Sequence, residues 1–163
     1  MLLKIITAGL LLVGAHVASA DTFNGFVTGI TDGDTLTLLD DQKQQHKIRV
    51  VGIDAPEKVQ PFGAKSQANL GLLAFNKQAR AECPKRDRYG RELCKIFVDG
   101  QDVGLQQITD GMAWWFVKYA KEQAPEDRVT YEQAETTAKI RRFGLWADTN
   151  PTPPWDWRKL GKR

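Results

Sequence analysis

The sequence is poor in the residues on which most hydrolytic and metal-assisted chemistry rests. It holds two histidines and two cysteines in 163 residues. His16 falls inside an apolar N-terminal run, so His46 is the only histidine in the remainder. A lone histidine in a hairpin-like stretch reads as a surface group, which excludes ribonuclease chemistry by paired histidines and metal cores built on histidine. Ser66 is the only serine after residue 20 and has no G-x-S-x-G setting, which argues against a serine hydrolase. With no third cysteine and no Cys/His spacing, a zinc site is excluded as well. Repeats and low-complexity tracts are missing too. The formal net charge is only +3, too small for total charge to announce a polyanion-binding protein.

What is there begins with a basic start, Met1 to Lys4, an apolar run from Ile5 to Val17, and the small-residue site Ala18-Ser19-Ala20 before Asp21. This is the pattern of a secretory leader over residues 1–20, and the run is short for a membrane span. The protein is therefore expected to be periplasmic or secreted, with no membrane association after cleavage. Cys83 and Cys94 flank a short loop. If the flanking segments pair as an antiparallel hairpin, the two can face each other, and in an oxidising compartment a bridge is expected over two buried thiols. Charge is clustered where it is positive: Lys85, Arg86, Arg88 and Arg91 in one loop, Arg141 and Arg142 at a helix end, and Arg158, Lys159, Lys162 and Arg163 in the tail. The loop cluster can attract a polyanion, whereas the tail reads as solvated surface charge.

Strand patterns occupy Phe23–Ile30, Thr35–Leu39, Lys47–Ile53 and Glu92–Val98, and helix patterns occupy 64–77, Val103–Thr109 and 126–142. Asp102 suits the cap of the second helix, and Pro125 and Gly144 bracket the third. Strands first and helices later point to the α+β class. A Pro-rich turning segment after Trp146 suggests one domain over 21–147 and a basic, Trp-containing tail over 148–163. No role can be read for Trp155 or Trp157, while Trp114, Phe116 and Trp146 read as core.

Three motifs carry chemistry: Asp32-Gly33-Asp34-Thr35, Arg49 followed by Ile53-Asp54-Ala55-Pro56-Glu57, and Asp87-Arg88-Tyr89-Gly90-Arg91. Cleaving a phosphodiester requires a base for water, neutralisation of charge on the phosphoryl oxygens, and in-line departure. Carboxylates supply a hard-cation site and a base, and arginines supply forked donors for phosphate. Asp34 ends a turn and Asp54 ends a strand, so both can turn oxygens toward one ion. Oxygen-only company favours Ca²⁺ or Mg²⁺ over zinc. Asp32 reads as the residue that shapes the turn.

In this order and at these separations the motifs resemble the staphylococcal nuclease (thermonuclease) family, and the resemblance runs from Gly25 to Trp146. It implies a five-stranded Greek-key β-barrel of the OB type with three α-helices. It implies a Ca²⁺ cofactor held by Asp34, Asp54 and the main-chain carbonyl of Ala55, with Glu57 as general base and Arg49 and Arg91 as the phosphate clamp. Arg88 and Tyr89 match positions that contact a terminal phosphate, and Tyr119 matches a nucleotide-contacting tyrosine. The sequence departs from the pattern at Ala55, where the best-known member has threonine, and at Val117, where the family carries a second tyrosine. The implied activity is an endonuclease acting on DNA and RNA that leaves 3′-phosphates, with no obligate protein partner. The rival reading is a non-catalytic nucleic-acid-binding OB module. Retention of Arg49, Asp54, Glu57 and Arg91 favours the enzyme.

Overall fold

Alternating burial is what turns these strands into a barrel. The structure, a computed structural model, describes residues 21–161; the leader-like segment 1–20 lies outside the described residues. Strand β1 (Asp21–Ile30) pairs antiparallel with β2 (Thr35–Asp40), which pairs antiparallel with β3 (Gln45–Val50). After a turn at Val51 and Gly52, a two-residue strand β4 (Ile53–Asp54) leaves the barrel, so the expected strand Lys47–Ile53 is split in two. Strand β5 (Gln78–Arg86) returns along β1, and β6 (Glu92–Val98) pairs antiparallel with β5. A parallel pairing of β3 with β6, at Ile48–Glu92, Arg49–Leu93 and Val50–Cys94, closes the five strands. The result is the OB-type α+β barrel. Closure removes the exposed edges an open sheet would present.

The interior is filled by the inward set Val27, Leu36, Leu38, Ile48, Ala81 and Ile96, all fully buried. Short strands β7 (Gln101–Asp102) and β8 (Trp114–Trp115) extend the sheet and pair with β4, respectively. Helices α1 (Gly63–Ala74), α2 (Val103–Thr109) and α3 (Pro125–Arg141) pack as a layer in which α2 touches both others. Asp102 caps α2 as expected, accepting from the amides of Gly104 and Leu105. The same carboxylate accepts the hydroxyl of Tyr131, fully buried on α3, and pairs with Lys95 of β6. One aspartate thereby joins barrel, α2 and α3.

The sequence expectations need amending at four places. The strand β5 had no counterpart among the strand patterns. His46 is buried rather than superficial: its ring stacks on Phe23 at 3.9 Å, and its Nε2 lies 2.9 Å from Asp40. Phe116 and Trp146 are only half-buried, whereas Trp114 is in the interior. Beyond Trp146 the chain does not trail away. Gln60 donates to the carbonyl of Thr152 at 2.5 Å, Pro154 is buried, and a fourth helix α4 (Pro154–Leu160) folds back over the barrel mouth. Among the described residues, no helix is long and apolar enough to cross a membrane.

Candidate active site

The β1–β2 turn sets the first carboxylate. The Oδ1 of Asp32 accepts the amide of Asp34, the turn-shaping role expected of it, and Thr35 closes the turn onto Thr31. Gly33 is required here by close approach, because a Cβ would overlap Ser66 Oγ and lie 2.8 Å from Ala55 Cβ. Its carbonyl is pinned by the amide of Gln107, fully buried on α2, at 2.6 Å. Gln107 in turn accepts from Asn69 of α1 at 2.7 Å.

The second carboxylate, Asp54, stands on β4 and meets the first through Arg49 at the end of β3. Arg49 Nε lies 3.1 Å from Asp34 Oδ1, its Nη2 lies 3.1 Å from Asp54 Oδ1, and its Nη1 donates to the Val50 carbonyl at 2.7 Å. The amide of Ala55 donates to Asp34 Oδ2 at 2.7 Å, so the two motifs interlock through main chain. Asp34 and Asp54 are both buried. Burial pushes the Asp34 carboxyl up to about 7, with the neighbouring Asp32 and Asp54 carboxylates adding to it, against the pull of Arg49 and the Ala55 amide.

Arg91 reaches the same mouth from the β5–β6 hairpin. Its Nε is held by Asp87 Oδ2 at 2.7 Å, and its Nη1 lies 3.5 Å from Thr35 Oγ1, next to Asp34. Asp87 also accepts the amides of Tyr89 and Arg91; these contacts outweigh burial and keep its carboxyl below the ordinary range. The hairpin is tied at its base by the Cys83–Cys94 disulfide, which joins β5 to β6 as expected. Arg88 and Tyr89 form the exposed tip, with the Arg88 guanidinium 4.9 Å from the Tyr89 ring centre. Tyr119 is exposed and sits edge-on to Phe116 at 5.1 Å. Val117, in the place of a family tyrosine, is exposed and offers no polar group.

Glu57 stands beyond Asp54, its amide held by Gln60 at 3.1 Å and its side chain open to solvent on one side. The residue that connects it to Asp54 is Arg158, expected from the sequence among the solvated charges of the tail and set by the structure into two ion pairs instead. Arg158 of α4 donates from Nη2 to Asp54 Oδ2 at 2.6 Å and from Nη1 to Glu57 Oε1 at 2.7 Å. Gln107 escaped notice. It falls in register with the buried Val103 and Gly104, and an amide on an apolar helix face signals a polar partner. Arg158 carried a weaker signal, a cation among tryptophans and prolines.

The donor set suits a hard cation. Asp34 and Asp54 each turn a carboxylate oxygen to Arg49, and Arg158 supplies further positive charge to Asp54. Among the described residues no group of three or more His, Cys, Asp and Glu side chains could hold a metal. An ion here would rest on two carboxylates, with its other oxygens from main chain, water or phosphate.

Comparison with known proteins agrees with this geometry. The family described as staphylococcal nuclease homologue matches residues 47–148. The chain is 36% identical over 169 residues to a micrococcal nuclease of Shigella flexneri, covering 98% of this chain and 94% of that protein. It is 36% identical over 161 residues to an uncharacterized endonuclease of Haemophilus influenzae, covering 98% of this chain and 87% of that one. A staphylococcal-like nuclease of Arabidopsis thaliana is 34% identical over 116 residues, 71% of this chain and 34% of the plant protein.

Proposed function

The chain belongs to the staphylococcal nuclease family and is an endonuclease, and we propose that it is an exported, Ca²⁺-dependent one that hydrolyses DNA and RNA with little sequence preference and leaves 3′-phosphates. The observation that carries this reading is the chain of contacts from Arg91 through Thr35, Asp34 and Arg49 to Asp54, which gathers the three motifs at one barrel mouth, with Glu57 three residues on.

In this reading Asp34 and Asp54, with the Ala55 carbonyl, would hold Ca²⁺, and the ion would supply positive charge to a phosphate oxygen. Glu57, partly open to solvent, takes the proton from water. Arg49, half-buried and anchored by the Val50 carbonyl, is a rigid donor aimed at the developing charge, and Arg91, braced by Asp87, is a second one. Arg88, Tyr89 and Tyr119 lie on exposed ground around the mouth, suited to the flanking parts of a polynucleotide. The disulfide supports an oxidising destination, as the leader-like residues 1–20 do.

The test is an assay of the purified protein on single- and double-stranded DNA and on RNA, with Ca²⁺, with Mg²⁺, and with chelator. Cleavage is expected to vanish with a Ca²⁺-selective chelator and return with Ca²⁺. Full activity in Mg²⁺ with Ca²⁺ rigorously removed would overturn the metal assignment, and end-group analysis of the products checks the 3′-phosphate.

A further inference from the structure

Ten residues past the stretch 47–148, the chain brings a further cation into the site. The fork of Arg158 lies on both oxygens of Asp54, at 2.6 and 3.3 Å, and on Glu57 at 2.7 Å. It thereby engages, in the reading above, a metal ligand and the general base together. The Asp54 side chain is left only 3% exposed under it, whereas the Arg158 side chain is 42% exposed. An incoming cation or phosphate cannot reach Asp54 on that side while the guanidinium stays.

The helix that carries Arg158 is seated by its buried first residue, Pro154, and by aromatic contacts. The Trp155 ring stacks on Phe116 at 5.7 Å and meets Trp114 edge-on at 6.5 Å. Gln60, which donates to the Thr152 carbonyl just before α4, also accepts the Glu57 amide, so the tail is tied to the loop bearing the base. Seven residues are too few for a helix to be stable alone. Its seated position depends on these contacts and on the ion pairs at its tip, and segments held this way open at low cost.

We propose that α4 is a latch in which Arg158 acts as an internal cation competing with Ca²⁺ and the substrate phosphate, so that the enzyme becomes active only when the helix is displaced. The proposal rests on the assignment of Asp54 and Glu57 given above. Its consequence is quantitative. The apparent affinity for Ca²⁺ is reduced by the fraction of molecules in which the site is open, and anything that unseats Arg158 restores it.

The experiment compares the wild-type chain with Arg158→Gln, using CaCl₂ alone as the probe and titration calorimetry as the readout. The variant is expected to bind Ca²⁺ at least about five-fold more tightly, the lower end of ordinary coupling between sites, and to reach half-maximal cleavage at correspondingly lower Ca²⁺. In the wild type, CaCl₂ is expected to change tryptophan emission, and Trp155→Phe to remove most of that change. Equal dissociation constants for wild type and Arg158→Gln would overturn the latch, even with cleavage Ca²⁺-dependent in both. So would slower turnover in the variant with no tightening, which would make Arg158 a phosphate-binding group. Failure of CaCl₂ to bind either protein, with cleavage indifferent to chelator, would overturn the latch and the metal assignment together.

Discussion

Arg91 and Glu57 differ in how the structure holds them, and this decides what their replacement should do. Arg91 is oriented by the charge-assisted bond its Nε donates to Asp87, which leaves Nη1 directed at Thr35 in the mouth. Lysine has one point of charge on a flexible stem and cannot be braced and aimed at once. Arg91→Lys should lower kcat by at least about 10²-fold, the loss expected for one preorganised oxyanion donor, with substrate binding weakened far less. Glu57→Gln keeps the shape and removes the proposed base, so kcat should fall while Ca²⁺ binding, measured directly, stays largely intact. Asp34→Ala should instead shift the Ca²⁺ requirement to higher concentration. Near-wild-type turnover of Arg91→Lys or Glu57→Gln at saturating Ca²⁺ would contradict these roles. Asp34, Arg49, Asp54, Glu57 and Arg91 could be named as candidates because each sits in a short motif, and the structure brings them to one barrel mouth. Gln107 and Arg158 could not, because their partners lie 74 and 101 to 104 residues away. Gln107→Leu tests the first of these. It strands the buried Gly33 carbonyl at a cost of about 1–3 kcal/mol, and denaturant unfolding should show that loss.

Among the elements, β1, β2, β6, α2 and α3 could be read because burial and capping follow their periods cleanly. Strand β5 was hidden by its composition. Its inward residues are Ala79, Ala81 and Cys83, small side chains with little strand signal, and Pro84 falls where its register with β6 shifts. Tertiary pairing with β1 on one side and β6 on the other decides its conformation. His46 was misplaced for a related reason: a polar residue on a strand was read as outward, but Asp40 and Glu92 give it partners beneath Phe23. The hairpin of β5 and β6 carries the second prediction at this scale. A disulfide closing so short a loop is worth about 2–3 kcal/mol. Native protein should resist thiol alkylation until reduced, and reduction should lower the denaturant midpoint more than the activity. Arg91 is also fixed by Asp87 and by the closed barrel around β6, so the site does not depend on the bridge alone. Loss of activity well ahead of loss of stability on reduction would show that the bridge positions the site directly.

For the whole molecule, the carboxylates at the barrel mouth set how stability follows pH. The folded chain holds the Asp34 proton up to about 7, against an ordinary value of 3.8, because the site is buried and its acidic neighbours oppose ionisation. Between those values the folded state binds the proton that the unfolded state has released. The stabilisation from Asp34 is therefore complete below about 3.8 and is lost as pH rises toward 7, with a slope of at most about 1.4 kcal/mol per pH unit. Asp40 and Asp87 act in the opposite sense. The bond to His46 and the amides of Gln44 and Gln42 hold Asp40 low, and Arg91 helps to hold Asp87 low, so their contributions are present above the ordinary carboxylate range and lost as pH falls through it. Metal-free protein should accordingly show a stability maximum on the acid side of neutrality, and Asp34→Asn should remove the decline above it. Saturating Ca²⁺ should flatten the same decline in the wild type, since a ligand bound only to the folded, ionised site adds about 2.7 kcal/mol at one hundred times its dissociation constant. Thermal unfolding from pH 4 to 8, with chelator and with CaCl₂, gives the three curves. If Asp34→Asn left the slope between pH 5 and 7 unchanged, the strained acid pair would not be what the mouth of this barrel stores, and the attraction of the site for a cation would need another source.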